Sequence, residues 1–61
     1  MNTLSEKELS TINDLLAGEA QEVKKFQMLS DSSTDPELKQ KFKNISNLHQ
    51  QHFNSIYKFL S

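Results

Sequence analysis

The 61-residue chain has no cysteine, no tryptophan, one glycine and one proline. Without cysteine, neither a disulfide nor a thiolate metal site can stabilise a small fold. So few glycines and prolines argue against a β-rich fold, which needs many turns. No apolar run approaches the ~18 residues of a membrane span. A net charge of −1 gives no electrostatic reason to expect nucleic acid or an anionic membrane as a partner.

Apolar residues recur at alternating intervals of three and four in both halves of the chain, which is typical of a helix that packs along another helix. The stripe of the first half comprises Leu9, Ile12, Leu16, Glu19, Val23, Phe26 and Ser30. The stripe of the second half comprises Leu38, Phe42, Ile45, His49, His52, Ile56 and Phe59. Further apolar residues beside each stripe widen it, which indicates more than one neighbouring helix.

Capping residues predict where the helices begin. Ser5 followed by Glu8 is a capping-box pattern for the first helix. Asp35 before Pro36 is an N-cap and first-position pattern for the second helix, with Thr34 as a competing N-cap. The polar cluster before Asp35 ends the first helix.

The sequence predicts an all-α fold in a single domain 1–61, with helix 5–30, turn 31–35 and helix 36–60. The short turn makes the two helices an antiparallel hairpin. A chain of 61 residues buries little surface alone. We therefore expect a homodimer in which two hairpins form a four-helix bundle, with an adaptor that packs against a different helical protein as the alternative.

Stripe residues that face each other in an antiparallel hairpin have numbers with a constant sum, and here every pair adds to 68. Glu19 then faces His49, and His52 lies one helical turn away.

One hypothesis for these three polar residues is structural, since a buried Glu–His pair sets the register of an oligomer. The other is a metal site of Glu19, His49 and His52, because imidazole suits zinc, iron, copper or nickel. Glu22 is then an additional ligand, a hydrogen-bond acceptor for a histidine N–H, or a solvated residue beside the site. Gly18 either leaves space for close packing near Glu19 or is a neutral position.

Features of enzymes and of secreted proteins are missing. The chain has no nucleophile–base pair and no glycine-rich phosphate loop, so no catalytic residue is predicted. Its lysine-rich stretches have acidic neighbours and are interpreted as solvated surfaces. Residues 1–10 are too polar for a signal peptide, which predicts a location inside the cell that makes the protein.

The segment from Leu16 to Gln21 resembles the first ligand-bearing helix of rubrerythrin-type, ferritin-like proteins, where a glutamate in a similar Ala-Gly-Glu run binds a di-iron centre. The next helix of that superfamily carries Glu-x-x-His, and the matching window here runs from His49 to His52. His49 thus stands in place of the bridging glutamate, and a neutral imidazole cannot bridge two irons. Two hairpins bring two such ligand sets together, so the alternative function is a metal-binding half-bundle with an altered di-metal site of zinc or iron at the dimer core. The resemblance adds an altered di-metal oxidase as the enzyme alternative.

Nearly the whole chain is similar to the small spore-coat proteins of endospore-forming bacteria, the coat F group. The matching segments are Leu4 to Leu9, Lys24 to Phe26, Asp35 to Lys39, and His49 to Phe53. This resemblance implies a structural or assembly component of the spore coat, with other coat proteins as partners and no established catalysis. It implies a location in the spore coat or in the cytoplasm of the sporulating mother cell.

Overall fold

The computed structural model describes residues 3–60, in which all regular secondary structure is helical. Helix α1 spans Glu6–Ser32, helix α2 spans Pro36–Tyr57, and a 3₁₀ turn follows at Lys58–Leu60. The two long helices pack side by side in a body of 47 × 15 × 10 Å. This arrangement confirms the predicted helical hairpin. Neither helix in the described part of the chain is long and apolar enough to cross a membrane.

Side-chain caps fix the start of each helix. Ser5 Oγ accepts a hydrogen bond from the Glu8 N–H at 3.1 Å, and Glu8 Oε1 accepts from the Ser5 N–H at 3.0 Å. The predicted capping box is therefore present. Asp35 Oδ1 accepts from two N–H groups in the first turn of α2, at 2.8 and 3.0 Å. Asp35, rather than Thr34, is thus the N-cap of α2.

The observed helix ends differ from the predicted ranges. Ser5 lies just outside α1 as its cap, α1 continues to Ser32 instead of ending at residue 30, and α2 gives way to the 3₁₀ turn after Tyr57. The last turn of α1 is extended because the hydroxyls of Ser32 and Ser33 donate to the Leu29 carbonyl, at 3.3 and 2.7 Å. These bonds partner a carbonyl that the end of a helix would otherwise leave free. Residues 1, 2 and 61 of the predicted domain lie outside the described residues.

Contacts between the helices confirm the predicted register at two layers. The ring centroids of Phe26 and Phe42 are 6.0 Å apart. Glu19 Oε1 lies 2.7 Å from His49 Nδ1. Both pairs were expected to face each other in an antiparallel hairpin.

Two serine hydroxyls bond across the hairpin on the turn side of these layers. Ser46 Oγ donates to the Val23 carbonyl at 2.9 Å, and Ser30 Oγ donates to the Lys39 carbonyl at 3.0 Å. Lys39 Nζ returns a bond to the Ser30 carbonyl at 2.8 Å. Ser46 and Ser30 are 2% and 4% exposed. The sequence pattern placed Ser30 opposite Leu38, but the contact falls one residue later, and the burial of Ser46 was not predicted.

The hairpin buries little apolar surface. Among residues 3–60, Leu16 is the one large apolar side chain in the buried class, with 8% exposure. Large apolar side chains that remain exposed are Leu9, Leu15, Met28, Leu29, Leu38, Leu48, Tyr57 and Phe59. Three of these, Leu9, Leu38 and Phe59, were predicted to lie in the seam. The hairpin alone therefore leaves the outer parts of both stripes without a neighbour.

Candidate metal centre

Glu19, His49 and His52 form a cluster between the two helices. Glu19 lies on α1, and both histidines lie on α2, one turn apart. Glu19 Oε1 is 2.7 Å from His49 Nδ1 and 3.5 Å from His52 Nδ1. One ligand atom from each residue lies within 4.8 Å of the other two. The structure thus brings together the three residues that the sequence suggested as metal ligands.

The Glu19 carboxyl is ionised at neutral pH. Its pKa lies below the ordinary value, chiefly because His49 forms a hydrogen bond with it; desolvation opposes this effect, and the nearby charge of His52 adds to it. An ionised carboxylate can only accept hydrogen bonds. The Nδ1 atom of His49 therefore carries a proton and donates a hydrogen bond to Glu19 Oε1 at 2.7 Å.

Aromatic contacts orient the two imidazole rings. Phe26 stacks on His49 with a centroid distance of 5.9 Å and an interplanar angle of 10°. His52 meets His49 edge-on, with a centroid distance of 5.6 Å and an angle of 88°. The Phe26–His49 stack was not predicted, although Phe42, the predicted partner of Phe26, lies seven residues before His49 and hence on the same face of α2.

Solvent reaches the cluster from one side. The side chains of Glu19 and His49 are 22% and 24% exposed, whereas that of His52 is 49% exposed. The cluster is therefore covered at His49 and open at His52.

Glu22, suggested as a fourth contributor, lies outside the cluster. Its Oε1 atom pairs with Lys25 Nζ at 3.2 Å, an ion pair between residues three apart on α1. Lys25 Nζ also lies 5.1 Å from the centroid of the Phe26 ring. These local contacts hold Glu22 and Lys25 together beside the centre, and neither one belongs to the group of ligand atoms.

Gly18, the residue before Glu19, is not required for packing inside the hairpin. A Cβ atom built at this position meets nothing within 4 Å. The space over Gly18 is therefore open, and the close-packing role considered from the sequence is not used between α1 and α2.

The donor set fits a single transition-metal ion. Two imidazole nitrogens and one carboxylate oxygen form a set that zinc sites use, with a fourth position left for water or another ligand. With bonds of about 2.0–2.2 Å at tetrahedral angles, two ligand atoms on one zinc ion lie about 3.4 Å apart. The three ligand atoms, which now lie within 4.8 Å of one another, would therefore have to come closer to bind one ion. A nitrogen that binds the ion must lose its proton, so affinity depends on pH.

A scan against protein-family models matched none, and searches of curated proteins and of solved structures each returned no match.

Proposed function

We propose that this protein is a structural assembly subunit in which two copies pair through their apolar surfaces and complete a four-helix bundle. The observation that carries this proposal is the contrast, within residues 3–60, between eight exposed large apolar side chains and one buried one, Leu16. Large apolar patches on a soluble protein mark interaction sites. A second copy exposes the same apolar side chains, and pairing around a two-fold axis covers the apolar surface of both copies in one interface.

Pairing would supply stability that the hairpin lacks. Burying an exposed leucine or phenylalanine side chain completely contributes about 1.5–3 kcal/mol, so each half-exposed side chain that the partner covers adds on the order of 1 kcal/mol. A domain of this size is marginally stable with one small core. Folding and pairing are therefore linked, and stability must rise with protein concentration.

Thermal unfolding followed by circular dichroism over a wide range of protein concentration tests this proposal. We expect the midpoint of unfolding to rise steadily with concentration, because dissociation accompanies unfolding. A cooperative helical transition whose midpoint is independent of concentration would contradict the pairing.

The spore coat is the location that we propose for this subunit, and the order and spacing of the four coat-like segments support it. The role is architectural and requires no catalysis, and other coat proteins are its proposed neighbours. Antibody detection in coat extracts of intact spores, beside the extracted spore core, tests the location. Recovery only in the core or in the mother-cell cytoplasm would contradict the coat location and leave the pairing proposal standing.

A second proposed function is the binding of one transition-metal ion, zinc or iron, by each hairpin. It is supported by the convergence of Glu19, His49 and His52, whose ligand atoms lie within 4.8 Å of one another. One carboxylate and two imidazoles suit a single ion better than a carboxylate-bridged pair of ions. In a bundle of two hairpins, each copy would hold its own ion.

Elemental analysis of untagged protein purified without chelator tests the metal centre. We expect near-stoichiometric metal in the wild type, loss of it in His49→Ala, and no change in the control Gln51→Ala, whose side chain is exposed. Equal metal content in the two variants, or no metal in the wild type, would contradict this function. Peroxide turnover by the iron-loaded protein tests the oxidase alternative.

A further inference from the structure

The exposed apolar side chains lie mainly on one of the two broad faces of the hairpin. Leu15 and Phe59 line the same groove of about 470 Å³ at the open end, so they lie on the same side. Residues separated by multiples of seven recur on one side of a helix, which adds Leu29 on α1. Ile56 of α2 lines the same groove, Leu38 lies five helical turns before it on the same side, and Leu48 lies about 80° further around α2. We call this side the leucine face, and its exposed apolar residues are Leu15, Leu29, Leu38, Leu48 and Phe59.

The opposite face is polar near the turn. Gln27 is two residues from Leu29, which turns it by about 200° around α1, and Lys43 is five residues from Leu48, which turns it by about 140° around α2, so both point away from the leucine face. Together with Asn47, they line a groove above the buried serines. This half of the opposite face offers little apolar surface to a partner.

Gly18 lies near the middle of α1 on the leucine face. It follows Leu15 by three residues, which keeps it on the same side of the helix. It is exposed, and a Cβ atom there would meet nothing within 4 Å. A glycine lets another backbone approach closely. On the leucine face, Gly18 is therefore a place where a second helix can come near the backbone of α1.

We propose that a second copy of this chain docks on the leucine face with one of its helices packed over Gly18. This inference rests on the proposed pairing and assigns the surface that forms it. The hairpin measures 47 Å by 15 Å across its broad faces, which is about 700 Å². Stable interfaces bury about 600–1,000 Å² per partner, so pairing over the whole face falls within that range.

A second copy suits this face better than a partner of different chemistry. A two-fold interface must be self-complementary, and the leucines of this face meet identical leucines in a second copy. Glu22 also lies on this face, seven residues after Leu15 and seven before Leu29, and Lys25 lies seven residues after Gly18. These two charged side chains already pair with each other at 3.2 Å. Two copies of the leucine face can therefore meet at Glu22 and Lys25 without repulsion between unpaired charges.

Sedimentation equilibrium of Gly18→Gln beside Ala17→Gln tests the contact at Gly18. Both variants add the same side chain at neighbouring exposed positions of α1, but Ala17 is turned by about 100° away from Gly18. We expect Gly18→Gln to raise the dimer dissociation constant at least about tenfold and Ala17→Gln to leave it unchanged. Glutamine favours a helix more than glycine does, so any loss of helix in Gly18→Gln reflects lost pairing.

A second pair of variants tests the α2 half of the face. Leu48→Lys places a charge on the leucine face, whereas Gln50→Lys places the same charge about 200° around α2. We expect Leu48→Lys to weaken the dimer at least about tenfold and Gln50→Lys to leave it intact. Circular dichroism at a concentration where the wild type is dimeric verifies that both controls remain helical.

The outcomes separate this inference from the proposed function. A dimeric wild type with equally dimeric Gly18→Gln and Leu48→Lys variants would overturn the choice of face and leave the pairing itself standing. A wild type that stays monomeric while fully helical would overturn both.

Discussion

The buried hydroxyl of Ser46 allows a direct test of how closely α1 and α2 pack. Ser46 is 2% exposed, and its Oγ donates to the Val23 carbonyl on the other helix at 2.9 Å. A leucine at this position would bring a larger, branched side chain against the backbone of α1. We therefore expect Ser46→Leu to push the helices apart and destabilise the hairpin.

The magnitude follows from two contributions. Overpacking a tightly packed site costs about 1–3 kcal/mol, and loss of the interhelical hydrogen bond adds about 1 kcal/mol. We expect the free energy of unfolding to fall by about 2–4 kcal/mol, which is a large share of the roughly 3–9 kcal/mol typical for a chain of this length. The midpoint of thermal unfolding should then drop by roughly 15–30 °C.

Ser46→Ala and Asn47→Leu are the matched controls. Thermal unfolding of the wild type and all three variants is followed by circular dichroism at one protein concentration. Ser46→Ala loses the hydrogen bond but gains about 0.5 kcal/mol of helix propensity, so its stability should stay within about 1 kcal/mol of the wild type. Asn47→Leu adds the same leucine at an exposed neighbouring position and should change little. A Ser46→Leu protein as stable as Asn47→Leu would refute the close approach of the helices at this layer.

Three further outcomes are expected. Leu16→Ala should lower the free energy of urea unfolding by about 2–4 kcal/mol, because the side chain is 8% exposed; a loss below about 1 kcal/mol would contradict its burial. Asp35→Ala should cost about 1 kcal/mol in thermal unfolding and Thr34→Ala clearly less, and the reverse order would make Thr34 the cap. The pKa of Glu8 is lowered by its hydrogen bonds with Ser5, chiefly that from the backbone N–H. Its ionised form therefore stabilises the fold above the unfolded pKa, and this contribution disappears as pH falls through the lower folded pKa. Melting midpoints of the wild type and Glu8→Ala should differ at neutral pH and approach each other near pH ~2, whereas a gap that is undiminished in acid would contradict this role.

The helices and their pairing were predictable because the signals are local or periodic. The capping box of Ser5 and Glu8 lies within four consecutive residues. Heptad spacing in each half, combined with antiparallel geometry, fixes which layers meet. The contact between Glu19 and His49 follows from that geometry without any knowledge of three-dimensional structure.

Other features depend on contacts that a one-dimensional pattern does not encode. Serine is usually exposed, but Ser46 is buried, and its hydroxyl donates to a carbonyl of α1 that lies 23 residues away in the chain. Glu22 has the spacing of an additional ligand, but Lys25, three residues further on, competes for its carboxylate. Helix α1 ends at Ser32, two residues later than predicted, because two serine hydroxyls form hydrogen bonds with its last turn, and the sequence pattern does not predict these bonds.

Sedimentation equilibrium of the untagged wild-type chain tests the pairing most directly. We expect a particle of twice the 7.0 kDa chain mass at micromolar concentration, which dissociates on dilution and loses helix as it does so. A stable, fully helical particle of 7.0 kDa under the same conditions would contradict the assembly proposal.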